Sequence, residues 1–181
     1  GYIYIDPALL LYNPEARRDL GPGDSYALAY VADAADLLYS QVKLVPAELQ
    51  KAVFVFDYWV GNGDRQLSLL GGRPNLLMCS MESQLQLIDH NQAFKWPVDA
   101  TVFSSTHVFG PNNRTWRLDL VDQVEYRQRM HDTAARFRDL CSDIPDEWCE
   151  SIGATGLDNL LQEIESNLLR CQSDEFWSVL L

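Results

Sequence analysis

The chain has 181 residues, of which 47% are hydrophobic and 22% charged, and its formal net charge at pH 7 is −12. This length suits one domain, and the composition is apolar enough to bury a core, which excludes a disordered tail. A chain this acidic repels phosphate backbones and anionic lipids, so we expect it to bind neither nucleic acid nor a membrane surface. Basic proteins, metal ions and metal-bound nucleotides remain as partners.

The cysteines and the apolar runs indicate the cellular compartment. The four cysteines form no C-x-x-C pair and have no metal-binding spacing to the three histidines. Scattered cysteines in a domain of this size favour reduced thiols over a secreted disulfide framework. No apolar run reaches membrane-spanning length and no signal peptide is visible, so we expect a cytoplasmic protein. The residues do not indicate an oligomeric state.

The first sixty residues predict a strand followed by two helices. A short strand is expected at residues 2–5, and a helix at residues 25–41, where apolar residues recur at helical spacing. A second and stronger helix is predicted to begin at Pro46, because proline fits a first helical turn. Its apolar face continues to Val60, and the glycines of Gly61-Asn62-Gly63 then provide a left-handed stop.

The remainder predicts one hairpin and a helical C-terminal half. Residues 75–80 and 84–88 are short apolar segments separated by a turn, which is typical of a β-hairpin. Residues 101–109 and 115–120 flank a Gly-Pro-Asn-Asn turn and predict either a second hairpin or an extended excursion. Helices are then predicted at residues 121–141, 145–152, 157–171 and 174–181. Periodicity therefore predicts a mainly α protein with a small β-hairpin, an α+β fold.

Three polar residues around the predicted hairpin have the chemistry of phosphoryl transfer. This reaction needs a carboxylate that orients the acceptor and oxygen ligands that hold Mg²⁺ against the phosphates. Asp64 follows the second helix, Asn75 enters the first hairpin strand, and Asp89 ends the second. Because a hairpin brings its outer ends together, we expect Asn75 and Asp89 to converge on one metal beside Asp64.

Each of these residues, taken singly, also fits a structural role. Asn62-Gly63 is a common turn dipeptide, and Asp64-Arg65 fits a charge pair on the surface. Asp89-His90-Asn91 fits a polar turn in which His90 hydrogen-bonds the backbone. Taken together, in this order and with apolar strand residues between them, they favour the phosphoryl-transfer hypothesis. His107 and His131 have no ligand-spaced partners and are expected to be ordinary surface or core histidines.

Residues 56–94 resemble the HipA-like kinases and, more distantly, the phosphatidylinositol-kinase-like enzymes. The motif of these families is N-x-D-R, then N-P-N-L-L, then I-D-H, and the chain has N-G-D-R, R-P-N-L-L and I-D-H. The resemblance implies that Asn62 and Asp64 are catalytic, with Asp64 as the base. It implies that Asn75 and Asp89 bind Mg²⁺ and, through it, ATP. The sequence departs from the motif at Arg73, which replaces the first Asn, and in a long loop between Asp64 and Asn75.

The resemblance also implies a fold and a function for the whole chain. Residues 1–181 would form a single domain, the C-terminal lobe of a protein-kinase-like fold, with residues 56–94 as its catalytic loop and metal-binding segment. The implied reaction is ATP- and Mg²⁺-dependent phosphoryl transfer to a hydroxyl, that of Ser or Thr in a protein. The alternative hypothesis is a non-catalytic, kinase-like interaction module that binds a protein partner.

The residues before the motif lack the expected ATP clamp. Kinases of this kind hold ATP with a glycine-rich loop and a strand lysine. Residues 1–55 contain no G-x-G-x-x-G, and Lys43 follows a predicted helix and precedes a proline. We therefore expect the N-terminal ATP-clamping lobe to be missing from this chain. Three explanations stay open: a fragment of a longer kinase, one half of a split kinase, or a degenerate lobe that binds partners.

Overall fold

A computed structural model describes residues 1–79, 84–150 and 152–181 as an α+β fold. Small antiparallel sheets lie among helices of very different lengths. The strands are β1 Tyr2–Ile5, β2 Gly23–Tyr26, β3 Ala34–Asp36, β4 Gln66–Ser68, β5 Gly71–Arg73, β6 Leu76–Cys79 and β7 Gln84–Leu87. The helices are α1 Pro7–Tyr12, α2 Ala16–Asp19, α3 Ala47–Trp59, α4 Ala100–Thr106, α5 Leu120–Ala134, α6 Phe137–Leu140, α7 Asp146–Cys149, α8 Gly153–Leu168 and α9 Asp174–Leu180.

The predicted strand at residues 2–5 is confirmed, whereas the predicted helix at residues 25–41 is wrong. Strand β1 pairs with β2 from Tyr2 opposite Tyr26 to Ile5 opposite Gly23. Residues 34–36 form β3, which pairs with β6, and a 3₁₀ turn begins at Tyr39. Pairing with distant strands overrides the helical spacing of this segment, since local propensity is a weak preference. Lys43 lies in the 3₁₀ turn and not in a strand, as the sequence predicted.

Helix α3 is the central element of the core, and its prediction is confirmed. Val53, Phe54 and Val55 are consecutive and all at most 2% exposed, so the helix is buried on more than one side. Pro46 is the residue before the helix, and the chain leaves it through Gly61 at φ +71°. A Cβ at Gly61 would lie 2.8 Å from the indole nitrogen of Trp96, so glycine is required there by both conformation and space.

The hairpin predicted from residues 75–88 is confirmed as β6 and β7. Its register pairs Leu76 with Leu87 and Cys79 with Gln84, and β3 adds a third strand along β6. Residue 80, which the prediction included, lies outside the described residues. Leu76 is fully buried and packs in the main core cluster with α3. The open end of the hairpin, at residues 75 and 88, is thereby fixed against the helix.

The predicted second hairpin or extended excursion at residues 101–120 is wrong over its first half, which is helix α4. Asp99 begins this helix, since its carboxylate accepts a hydrogen bond from the Val102 amide at 2.9 Å. This capping hydrogen bond lets a segment rich in β-branched residues turn into a helix. An irregular segment follows, and its Val108 and Phe109 side chains are completely buried.

The predicted C-terminal helices are confirmed in their main parts. Residues 121–141 contain α5 and α6, and residues 145–152 contain α7, with residue 151 outside the described residues. Helix α8 begins at Gly153, four residues before the predicted start, and continues into a 3₁₀ turn at Leu169–Gln172, while α9 lies within the predicted residues 174–181. The indole of Trp59 in α3 donates to the Leu168 carbonyl at the end of α8, at 2.8 Å. The C-terminal helices thus close the core beneath α3. Among the described residues, none of the helices combines the length and the apolar character that crossing a membrane requires.

Candidate functional site

A buried carboxylate at the end of α3 organises the loop that follows it. Asp57 is 0% exposed and accepts hydrogen bonds from the Arg65 Nε at 2.6 Å and the Asn62 Nδ2 at 2.8 Å. Its Oδ2 also lies 3.0 Å from the Nε2 of His107. A carboxylate that is buried away from water needs hydrogen-bond donors from the protein to replace its hydration. Asp57 therefore joins α3, the loop at residues 61–65 and the segment after α4.

The other side of the Arg65 guanidinium holds the open end of the hairpin. Its Nη1 donates to the carbonyls of Pro74, at 3.3 Å, Asn75 and Ile88, at 3.5 Å. Its Nη2 lies 3.3 Å from the Nε2 of His90. The guanidinium is 0% exposed, so these contacts replace its hydration. Arg65 consequently fixes the backbone on both strands of the hairpin, next to Asn75 and Asp89.

The three residues expected to carry the chemistry come together at this end of the hairpin. Because Leu76 pairs with Leu87, Asn75 stands opposite Ile88, and the Ile88 amide donates to the Asn75 carbonyl at 3.1 Å. The Nδ2 of Asn75 donates to the Oδ2 of Asp64 at 3.3 Å. Asp89 is the next residue along and is exposed to solvent. The structure therefore places Asp64, Asn75 and Asp89 around the same hairpin end.

Asn75 and Asp89 share an unusual backbone conformation. Their φ angles are +48° and +51°, in the left-handed region. Residues other than glycine rarely adopt it, although Asn and Asp tolerate it best. In a strand, successive side chains point to opposite faces of the sheet. The left-handed turn at Asn75 and at Asp89 interrupts this alternation, so these two side chains are not bound to either face of the hairpin. Each strand thus ends, at this side of the hairpin, in an oxygen-bearing side chain.

The side chain of Asn62, the other predicted catalytic residue, is buried beneath the loop to which it belongs. Its side chain is completely buried and its amide nitrogen is bonded to Asp57. Its Oδ1 has no hydrogen-bond partner among the residues that the structure describes. Asn62 therefore contacts the buried carboxylate of Asp57. Its direct catalytic role stays a prediction.

Hydrogen bonds and charges set the protonation states around Asp57. Burial favours the protonated acid, but the hydrogen bond from His107 and the charge of Arg65 hold the pKa of Asp57 below its usual value. Burial lowers the pKa of His107 despite its bond to Asp57. The Phe109 amide donates to the Nδ1 of His107 at 3.0 Å, which assigns the ring proton to Nε2. A neutral imidazole therefore donates to an ionised carboxylate.

His90 experiences a similar electrostatic environment at the surface of the site. Burial and the neighbouring Arg65 charge lower the pKa of His90, and they outweigh the carboxylates of Asp57 and Asp89. The ring therefore favours its neutral form beside the guanidinium. Its contact is with the Arg65 side chain, whereas the sequence suggested a bond to backbone.

The sequence missed part of this site. Arg65 is a buried cation, so the alternative of a surface charge pair for Asp64-Arg65 is wrong. The sequence contains a pattern that could have indicated the role of Asp57. A single carboxylate in the apolar run Val-Phe-Asp-Tyr-Trp must either have a buried partner or interrupt the apolar face of the helix. His107 is a core histidine, which is one of the two alternatives that the sequence predicted. Its hydrogen bond to Asp57 joins residues fifty positions apart, so no local sequence pattern indicates it.

Asn75 and Asp89 are the residues that could supply ligands to a magnesium ion, while the described part of the chain contains no metal centre built by the protein alone. The bond from Asn75 Nδ2 to Asp64 leaves the Asn75 Oδ1 available as a ligand, and the Asp89 carboxylate is exposed. Within residues 1–79, 84–150 and 152–181, no group of three or more His, Cys, Asp or Glu side chains could hold a metal. Mg²⁺ commonly takes one or two protein ligands and completes its shell with phosphates and water.

Comparison with known families agrees with the motif. A family model described as HipA-like kinase matches residues 1–180. The chain belongs to the HipA-like kinase family. The match extends the resemblance of residues 56–94 to nearly the whole chain. No curated protein and no solved structure matches this HipA-like kinase significantly.

The central role of Asp57 predicts a large cost for removing its charge. In Asp57→Asn, Arg65 stays buried without a counter-charge, and we expect a loss of about 3–5 kcal/mol in the free energy of unfolding. Urea unfolding measures this value. Glu125→Gln removes a carboxylate from the exposed pair with Arg129 and should cost less than about 1 kcal/mol. Equal losses in the two variants would refute the central role of Asp57.

The lowered pKa of His107 predicts a loss of stability in mild acid. Below about pH 6.5 the unfolded chain binds a proton that the folded His107 resists, so the stability present above that pH falls as the pH drops toward the folded pKa. His107→Gln can still donate to Asp57 but cannot titrate. Its stability should fall less steeply between pH 7 and 5, by at most about 1.4 kcal/mol per pH unit.

Urea unfolding at pH 7, 6 and 5 compares the two proteins. His90 has a lowered pKa in both, so its contribution cancels in the difference. Parallel stability profiles for the wild type and His107→Gln would show that His107 does not titrate on unfolding.

Proposed function

We propose that this HipA-like kinase transfers the γ-phosphoryl group of ATP, with Mg²⁺, to a hydroxyl of Ser or Thr in a protein. Residues 1–181 would form the catalytic C-terminal lobe of a protein-kinase-like fold, with residues 56–94 as its catalytic and metal-binding segment. The observation that carries the proposal is the convergence of Asp64, Asn75 and Asp89 at one end of the hairpin.

Each residue has a role that fits its position. Asp64 accepts a hydrogen bond from Asn75 through one carboxylate oxygen, which leaves the other oxygen to orient the acceptor hydroxyl. The Asn75 Oδ1 and the exposed Asp89 carboxylate would hold Mg²⁺, which neutralises phosphate charge when it is bound. Asn62 and Arg65 hold the loop and the hairpin in place through Asp57. Positioning of this kind supplies most of the catalysis in phosphoryl transfer.

The ATP-clamping lobe belongs, in this proposal, to the remainder of a longer protein or to a partner protein. The N-terminal part of the structure offers a surface for it. Sheet β1–β2 has only two strands, and isolated two-stranded sheets are marginally stable. Large apolar side chains are exposed on and after it, including Tyr4 at 67%, Leu28 at 62% and Tyr30 at 90%. Such a surface is typical of an interface.

The same surface favours a second candidate function. A kinase-like module that binds a protein partner without catalysis would also use exposed apolar side chains near its N-terminus. Its acidic composition favours a basic partner. The two candidates differ in one property, because only the kinase needs a metal-bound nucleotide at Asn75 and Asp89.

Replacing Asp89 separates the candidates. In the natural protein with any partner present, Asp89→Asn should reduce phosphoryl transfer on the order of 10²–10³-fold, because a metal ligand is lost. Asp89 is exposed, so the free energy of unfolding should change by less than about 0.5 kcal/mol. Transfer of labelled γ-phosphate to protein hydroxyls measures the first effect. The rise of the melting temperature with Mg-ATP measures nucleotide binding.

Asp143→Asn is the matched control, since this carboxylate is also exposed and lies in the loop before α7. It should leave both measurements unchanged. Full transfer by Asp89→Asn would refute the assigned role of Asp89. If even the wild type with its partner is not stabilised by Mg-ATP, the interaction module is the better account.

A further inference from the structure

A cavity of about 350 Å³ opens beside Asp64. The loop glycines Gly61 and Gly63 form one wall, and a Cβ at Gly63 would meet nothing within 4 Å. The opposite wall comes from the segment that leads into α4. A group bound in this space therefore lies next to the predicted catalytic carboxylate and meets no side chain from Gly63.

The floor of the cavity is apolar. It is formed by Val98, Val102 and Phe103, and Phe103 belongs to the buried core. Val102 is 52% exposed although it is aliphatic and lies on a short helix. Packing within the chain does not account for this exposure. An apolar group that covers Val102 would remove its side chain from water, which is favourable.

The charged groups at the rim are engaged by neighbours. The Asp99 carboxylate accepts the capping hydrogen bond from the Val102 amide at 2.9 Å. The Lys95 ammonium donates to the Gln92 side-chain oxygen at 2.6 Å, and both residues line the cavity. Both rim charges therefore already have hydrogen-bond partners within the chain. The space next to the carboxylate thus favours an uncharged aliphatic group.

We propose that this cavity binds the residue adjacent to the acceptor hydroxyl in a polypeptide, and that this residue is aliphatic. The inference rests on the proposed function and specifies its substrate class. The cavity is open to solvent, so an extended chain can pass across its mouth while one side chain enters. The net charge of −12 favours a segment that carries basic residues on either side.

Defined peptides test the inference by binding alone. Two sets of fluorescent, lysine-flanked serine peptides carry leucine, alanine, aspartate or lysine either just before or just after the serine. Fluorescence anisotropy with the natural protein measures each Kd. In one of the two sets, leucine should give about tenfold tighter binding than alanine, as expected for an aliphatic side chain partly removed from water.

Val102→Asp should reverse this preference, because it places a carboxylate on the cavity floor. Leucine should lose its advantage and lysine should become the preferred neighbour. Val124→Asp is the matched control, since Val124 is 69% exposed on α5 and does not line the cavity. It should retain the leucine preference. If the Val102 substitution only disturbed the structure, it would weaken the binding of all peptides equally and would not create a preference for lysine.

The outcomes separate this inference from the proposed function. Equal binding of the leucine and alanine peptides, no measurable binding of any peptide, or a preference for aspartate would overturn the inference. A leucine preference that Val102→Asp leaves unchanged would also overturn it. Phosphoryl transfer to proteins without peptide selectivity would leave the proposed function standing. Selective binding without transfer of phosphate to the serine would contradict the proposed function.

Discussion

The ion pair between Asp57 and Arg65 is the interaction on which the rest of the site depends. Both side chains are fully buried, and their contact is 2.6 Å long. Removing two charges from water costs several kcal/mol each, and the pair offsets this only if the remaining hydrogen-bonding positions are filled. Here they are filled by Asn62, His107 and the hairpin carbonyls. The main effect of the pair is therefore a specific geometry, rather than added stability.

That geometry explains how two polar residues can end their strands in a left-handed conformation. Such a conformation costs about 1 kcal/mol or more for residues other than glycine and persists where the surroundings determine it. Arg65 donates to the Pro74 and Asn75 carbonyls, on either side of the first left-handed turn, and to the Ile88 carbonyl, directly before the second. The Arg65 carbonyl in turn accepts from the Val108 amide at 2.9 Å. One residue thus connects the loop at residues 61–65, the hairpin and the core segment after α4.

The elements that carry the predicted chemistry were predictable because their signals are local. Helix α3 has a continuous apolar face and a glycine stop, and the β6–β7 hairpin has two apolar runs around a turn. The chain also follows the HipA-like motif at Asp64, Asn75 and Asp89, and the structure brings these positions to one hairpin end.

The remaining features depend on contacts between residues that are distant in sequence. Strand β3 forms because residues 34–36 pair with residues 77–79, and that pairing overrides their helical spacing. Helix α4 is an exception, since its Asp99 cap is a local contact but lies just before residues 101–120, whose pattern predicted a hairpin or an extended excursion. The bond between Asp57 and His107 spans the loop, the hairpin and α4. Composition and periodicity contain no information on such pairs.

We propose that Asn75 and Asp89 hold a metal ion beside Asp64, and this proposal can be tested directly. The most direct measurement replaces Mg²⁺ by paramagnetic Mn²⁺, with ATP and the natural protein, and follows the side-chain amide signals of asparagine by NMR. We expect the Asn75 signal to broaden first, while the signal of Asn167 on α8, whose Nδ2 donates to the Glu163 carbonyl, persists. Equal broadening of the two signals, or none at Asn75, would contradict it.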